Sequence, residues 1–375
     1  MSRTHDPHRP SFPFGNPFKM MLPKGSYTSP KHLALLEKFE DTLATRFKKL
    51  KPKDSSEILS LPYMIMCLQL SSETYNDITS FITALELPVC GWDNKWIDVY
   101  LDNSIKLLDI SIAFSSEISR LSQGQLLLQY SLHNLNDSSS VDAEKALSSL
   151  DSWRQHISSK NPRIESCFSL IDKLVELLHL PKVKNSPKGK ILMRALYGVK
   201  VQTLFVCSVF VAAFTGCSKK LVDLGVPEEH IWASAFMDLQ SSVNGEIRHL
   251  VANGRNIIVN ELEAVDMGAK KLFSMLENGG EAIVSKELQT TVSEVKTNAE
   301  TLSTGLDSLA KEVDSFFQIV MSGRDALISN LRVGNDLSKS SPKSSPKSSP
   351  KSSPKSSPKS SPKSSPKFKS ELLVK

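Results

Sequence analysis

Eighteen consecutive uncharged residues, Val201 to Ser218, sit in the middle of this chain, and Lys219 and Lys220 follow them directly. A helix apolar all round has two homes, the centre of a protein body or a bilayer. The stretch includes Gln202, Thr203, Ser208 and Thr215 and falls at the short end of what a span requires, about 20 residues. Basic residues flank both ends, so the charge cue for orientation cancels. We expect a buried central helix, with a membrane span as the alternative. Just before it lies a basic link, Leu180–Arg194, carrying Lys182, Lys184, Lys188, Lys190 and Arg194. The first reading of Lys182–Lys190 is a solvated loop between helices. Contact with anionic lipid or a partner comes second. Nucleic acid comes last, because no aromatic side chains interleave with the lysines.

The rest of the body reads as helix after helix. Ser29-Pro30 forms a start signal, and Leu33, Leu36, Leu43, Phe47 and Leu50 follow on one face up to Pro52. Asp54 is expected to open a second helix that takes Pro62 into its first turns or is kinked by it. A long helix is expected over about 93–135, a shorter one over 141–159, and a third from the Asn161-Pro162 cap to Leu180. After the apolar helix and the Gly225-Val226-Pro227 break come helices to about Val251 and over 257–276. Glu228 and Glu229 are expected to complement a helix N-terminus, and Glu261 and Glu263 to be solvated.

The final helix has the cleanest pattern. Leu288, Val292, Val295, Ala299, Leu302, Leu306, Leu309, Val313, Phe316 and Val320 follow one another in steps of four and three. Beside this seam lie Thr291, Ser303, Ala310, Phe317 and Ile319. A free two-stranded coil would carry charges there, so the seam is expected to sit inside an intramolecular bundle. No stretch alternates with period two. The fold class is therefore all-α, an elongated multi-helix bundle with long central and C-terminal heptad helices and a disordered C-terminal tail. We divide the chain into an extended arm (1–28), a helical body (29–334) and a tail (335–375).

The arm carries Phe12, Phe14 and Phe18 among prolines, to dock on the body or to be offered to a partner. It has no continuous apolar stretch of the secretory kind, which points to an intracellular protein, cytoplasmic or membrane-associated. The tail repeats Ser-Ser-Pro-Lys seven times over 340–367. With no apolar residue it cannot fold on a core. Ser341, Ser345, Ser349, Ser353, Ser357, Ser361 and Ser365 each precede a proline, the context of proline-directed phosphorylation. From Ser338 the tail carries ten lysines and one glutamate, +9 against a whole-chain charge of +6, so the remainder is at −3. A body of that balance gives no general attraction to nucleic acid.

Chemistry finds no obvious carrier. Cys67, Cys90, Cys167, Cys207 and Cys217 are far apart in sequence and read as free thiols. The eight histidines are scattered, and no G-x-G-x-x-G or G-x-S-x-G occurs. Gly189-Lys190 lacks the upstream glycine of a phosphate loop. We assign no catalytic, cofactor or metal residue.

Several strings nevertheless resemble a known family. FPFGNPFK (Phe12–Lys19), ELPVCGWDNKWIDVYLDNSIKLLD (Glu86–Asp109), SLDSWRQHISSKNPRIESC (Ser149–Cys167), LPKVKNSPKGKILMRALYGVKV (Leu180–Val201) and KEVDSFFQIVMSGRDALISNLR (Lys311–Arg332) are similar to the plant BYPASS family. The likeness runs from about residue 7 to Arg332, and the repeat tail lies outside it. The resemblance implies a non-enzymatic developmental regulator of root and shoot growth. It implies restraint of the production of a root-derived mobile growth-arrest signal, for which carotenoid-derived compounds are the candidate chemistry; we expect the action to run through contacts with an unidentified protein partner. It also implies chloroplast location as the alternative to the cytoplasm. A single-span or peripheral membrane adaptor anchored by Val201–Ser218 is the rival reading.

Overall fold

The computed structural model describes residues 29–86, 95–136, 143–179, 186–255, 259–278 and 286–339. Among them are nine α-helices and no strand: α1 (Pro30–Leu50), α2 (Leu61–Ala84), α3 (Lys95–Asn136), α4 (Ala143–Ser158), α5 (Pro162–Glu176), α6 (Pro187–Thr215), α7 (Ala233–Ala252), α8 (Asn260–Asn278) and α9 (Lys286–Lys339). The arm and the repeat tail lie outside the described residues, with Phe12, Phe14, Phe18 and the seven serines from Ser341 to Ser365. Helix α9 runs on to Lys339, past residue 334 where the body was expected to end.

Helix α6 solves the problem posed by its sequence by being enclosed. It packs against α1, α2, α5, α3 and α7. It is long and apolar enough to cross a bilayer, yet 94% of its most apolar eighteen-residue window is buried within the protein. Phe210 and Phe214 meet Phe114 of α3, and Phe205 meets Phe236 of α7. The approach of α1 is close because residue 198 is glycine: a Cβ there would lie 2.6 Å from a Leu43 methyl. The helix ends where Gly216 turns left-handed, at φ 61°.

The start of α6 corrects the expectation of a basic link. Ser186 accepts a hydrogen bond from the Gly189 N–H, and Pro187 takes the first turn, so the helix begins fourteen residues before Val201. Lys188, Lys190 and Arg194 therefore stand on a helix. Helix α2 departs from expectation in the other direction. Asp54 caps only a short 3-10 turn, Ser55–Glu57, by accepting from the Ser56 N–H. Leu59 then adopts φ 65°, a left-handed conformation that costs a side-chain-bearing residue about 1–2 kcal/mol. Full burial of its side chain offsets that cost. Ser60 restarts the helix by accepting from the Tyr63 N–H, with Pro62 in the first turn.

All ten seam residues of α9 are buried, and the seam faces α2 and α3, with α8 against its N-terminal part. Tyr75 of α2 sets its ring edge-on to Phe316 at 5.5 Å. Among the flanking residues Thr291 is buried, and Ser303, Ala310, Phe317 and Ile319 are half-buried. The heptad is thus an intramolecular bundle helix with neighbours on more than one side. On α1, Leu36, Leu43, Phe47 and Leu50 point inward as expected, whereas Leu33, a turn from the helix start, is half exposed.

Candidate functional site

Helix α3 is forty-two residues long and carries two apolar faces. The inner one, with Leu107, Ile110, Phe114, Ile118, Leu121 and Leu128, is buried. The outer one follows Ile105, Asp109, Ile112, Ser116, Ser119, Gln123, Leu126 and Tyr130 in steps of four and three. Its apolar members are exposed: Ile105 by 43%, Ile112 by 46%, Leu126 by 66% and Tyr130 by 53%. This second seam has no partner within the described body.

The middle of the outer face forms the floor of an open groove of about 620 Å³, walled by Arg163 of α5 and by Asp314 and Phe317 of α9. Ser115, Ser116 and Ser119 line it with hydroxyls that make no hydrogen bond among the described residues, unlike Ser111 one turn earlier, which donates to the Leu107 carbonyl. Arg163 and Asp314 likewise make no ion pair there, so the groove offers one free charge of each sign.

A buried polar lock holds the wall in place. Glu117, 2% exposed, accepts two hydrogen bonds from Arg120 (3.0 and 2.6 Å) and one from Asn161, the N-cap of α5 (2.9 Å). Arg120 also donates to the His156 carbonyl at the end of α4, and its own carbonyl meets His156 Nε2 at 2.7 Å. His156 is thereby held to α3 through its ring nitrogen. A face of exposed apolar side chains and unpaired hydroxyls is suited to holding another surface.

The sequence-derived site residues lie elsewhere. Lys188 donates to the carbonyls of Leu85 (2.6 Å) and Glu86 (3.1 Å), closing the C-terminus of α2. Lys190 is exposed on the first turns of α6. Lys182 and Lys184 lie outside the described residues. Among the described residues no three of His, Cys, Asp and Glu gather as a metal site requires. Cys67, Cys167 and Cys207 are buried free thiols, Cys217 is partly buried, and Cys90 is not described. Burial pushes the thiols of Cys67 and Cys167 up to about 12, and that of Cys207 further in the same direction, which keeps all three protonated and unreactive.

Two ionic positions had no signal in the sequence. Glu40 of α1 is 1% exposed and receives Arg194 of α6 at 2.6 and 2.9 Å, the Ile231 N–H at 3.1 Å and His230 at 3.3 Å. The His230 ring stacks on both Tyr197 and Trp232, which also meet each other at 5.9 Å. Burial alone would raise the Glu40 pKa. The hydrogen bonds from His230, Arg194 and Ile231, with the Arg194 charge, overcome it and bring the value down to about 2. The node ties the 221–232 connection to α1 and α6. Glu228 and Glu229 lie in that connection, short of α7, which begins at Ala233. The first turn of α7 holds no acidic residue, and the Glu229 backbone carbonyl accepts from Arg194. Lys200, on α6, donates to the Leu177 carbonyl at 2.8 Å, and burial lowers its pKa to about 8. Glu261 and Glu263, expected in solvent, are both engaged. Glu261 accepts from the Leu61 N–H at 3.0 Å and caps α2 from α8, and Glu263 pairs with Arg255.

With this geometry in view, comparison with known proteins places the chain. A protein of Arabidopsis thaliana named "Protein BPS1, chloroplastic" is 51% identical over 333 residues, covering 88% of this chain and 93% of the relative. The chain belongs to the BYPASS family. Two rice proteins named "UPF0496 protein 4", from the indica and japonica subspecies of Oryza sativa, are each 37% identical over 90% of this chain and 99% of their own length. A family model described as "Protein ROH1-like" matches residues 157–331 of this BYPASS member, from the end of α4 through most of α9. None of these names describes a reaction. No solved structure matches the chain.

Proposed function

We propose that this BYPASS-family chain is a non-enzymatic regulator of plant root and shoot growth that acts through protein contacts at the outward face of α3. The observation that carries this reading is the unpartnered seam from Ile105 to Tyr130. Large apolar side chains exposed at heptad spacing fit a surface that is covered in use. Family membership supports the developmental role, and with it restraint of a root-derived mobile growth-arrest signal. The name of the Arabidopsis relative supports chloroplast location over the cytoplasm. Membrane anchorage through α6 has less support, because a span would have to strip that helix of the five helices packed around it.

The test is a double variant, Ile112→Arg with Leu126→Arg, returned to a plant lacking the family activity. Both positions are exposed, so the melting temperature should hold, with each change within about 0.5 kcal/mol of neutral. Root and shoot growth should stay uncorrected even though the protein accumulates. Full correction of growth by the double variant would overturn the proposal.

A further inference from the structure

We infer that the outward face of α3 pairs with the same face of a second copy of this chain, the two α3 helices running parallel about a two-fold axis. The inference rests on the reading of that face as a docking surface and names its occupant.

Three features lead to a second copy. The seam keeps its four-three spacing over eight positions, about 38 Å at 1.5 Å per residue, and only another helix lying nearly alongside can follow such a stripe. The seam is apolar at both ends and polar in the middle. Paired in register, Ile105, Ile112, Leu126 and Tyr130 meet their counterparts. Ser116, Ser119 and Gln123, on the groove floor, face their own kind across it, and each can both donate and accept, directly or through water. Polar residues within a seam are what fix register and a two-stranded state. The third feature is charge. Arg163 stands on the α5 wall and Asp314 on the α9 wall, without ion-pair partners among the described residues. A two-fold axis along α3 exchanges the walls, so Arg163 of each copy faces Asp314 of the other. Antiparallel pairing would set arginine against arginine and aspartate against aspartate. The surface thus supplies its own complement, as a two-fold interface requires. Asp109 meets its own copy in this arrangement, an unfavourable contact that weakens the pairing.

Sedimentation of the full chain at low salt tests this. A dimer is expected in the micromolar range. Arg163→Asp and Asp314→Arg should each weaken it at least about tenfold, since each sets like charges face to face at two places. Both substitutions fall at solvent-facing positions, and unchanged thermal melts would show that the fold is intact. Mixing the two single variants should restore a heterodimer, because each supplies the charge the other now needs. The combined variant Arg163→Asp/Asp314→Arg should dimerise by itself. A chain monomeric up to about 100 µM, or single variants that do not rescue each other, would overturn the parallel pairing. If the chain is monomeric and the Ile112→Arg/Leu126→Arg variant still fails in the plant, the face binds a different protein and only the second copy is excluded. If that variant restores growth, the docking reading itself falls.

Discussion

Replacing Leu309 by aspartate should unfold the body. Leu309 has no exposed surface and sits in the α9 seam, as does Leu302 two turns earlier. A carboxylate there has no water and no designed partner. It escapes the full cost of a buried charge only by taking up a proton, which still leaves a penalty of several kcal/mol, together with the loss of the leucine packing. That sum is comparable to the entire stability of an ordinary domain, about 5–15 kcal/mol. Far-UV circular dichroism should show the cooperative melt lost or its midpoint far lower for Leu309→Asp, and the same for Leu302→Asp. An unchanged melting temperature for either variant would contradict the intramolecular bundle.

The second large effect is expected at Glu40. Breaking a buried ion pair by removing one partner typically costs about 3–5 kcal/mol, because the other partner loses its compensation. Glu40→Gln should fall near the low end of that range, since Arg194 is one-third exposed and can recover some hydration. The loss should also depend on pH. The folded-state pKa of Glu40 is about 2, below its ordinary 4.5. A depressed carboxylate pKa stabilises the fold above the ordinary value, and the contribution disappears as pH falls through the folded one. At about 1.4 kcal/mol per pH unit, some 3 kcal/mol is at stake between pH 5 and pH 2. The gap in stability between wild type and Glu40→Gln, measured by denaturant unfolding, should therefore be widest at neutral pH and close as pH drops below 4.5. A gap of constant size would remove Glu40 as the titrating group.

The sequence was most informative where one face of a helix met one core. The α9 seam could be read residue by residue because its solvent side is charged, and the structure buries every position named. Helix α6 was legible as a central element, but its start was not. Lys188 and Arg194 resemble loop charges until they are seen to reach the α2 C-terminus and Glu40, contacts 103 and 154 residues away in sequence. Glu261 is the same case, capping an N–H 200 residues distant. A charge whose partner is remote looks solvated in a linear chain. Asp54 misled for a different reason: it is a real cap, but of a single turn, and the break comes from the conformation of Leu59 beyond it. The outer seam of α3 was missed because both faces of that helix carry apolar residues at helical spacing. Periodicity finds such faces without saying which one turns inward, and only the walls supplied by α5 and α9 distinguish them.

Hydrogen exchange of the full chain, purified without detergent, tests most directly the claim that α6 is the enclosed centre of the helical body and that the outward α3 face is left for a partner. The slowest amides should be those of α6 between Ala195 and Ala212, exchanging only with global unfolding, because five helices cover them. Rapid exchange across that stretch, with protection appearing only after lipid or detergent is added, would mean that α6 belongs in a bilayer and would contradict the account.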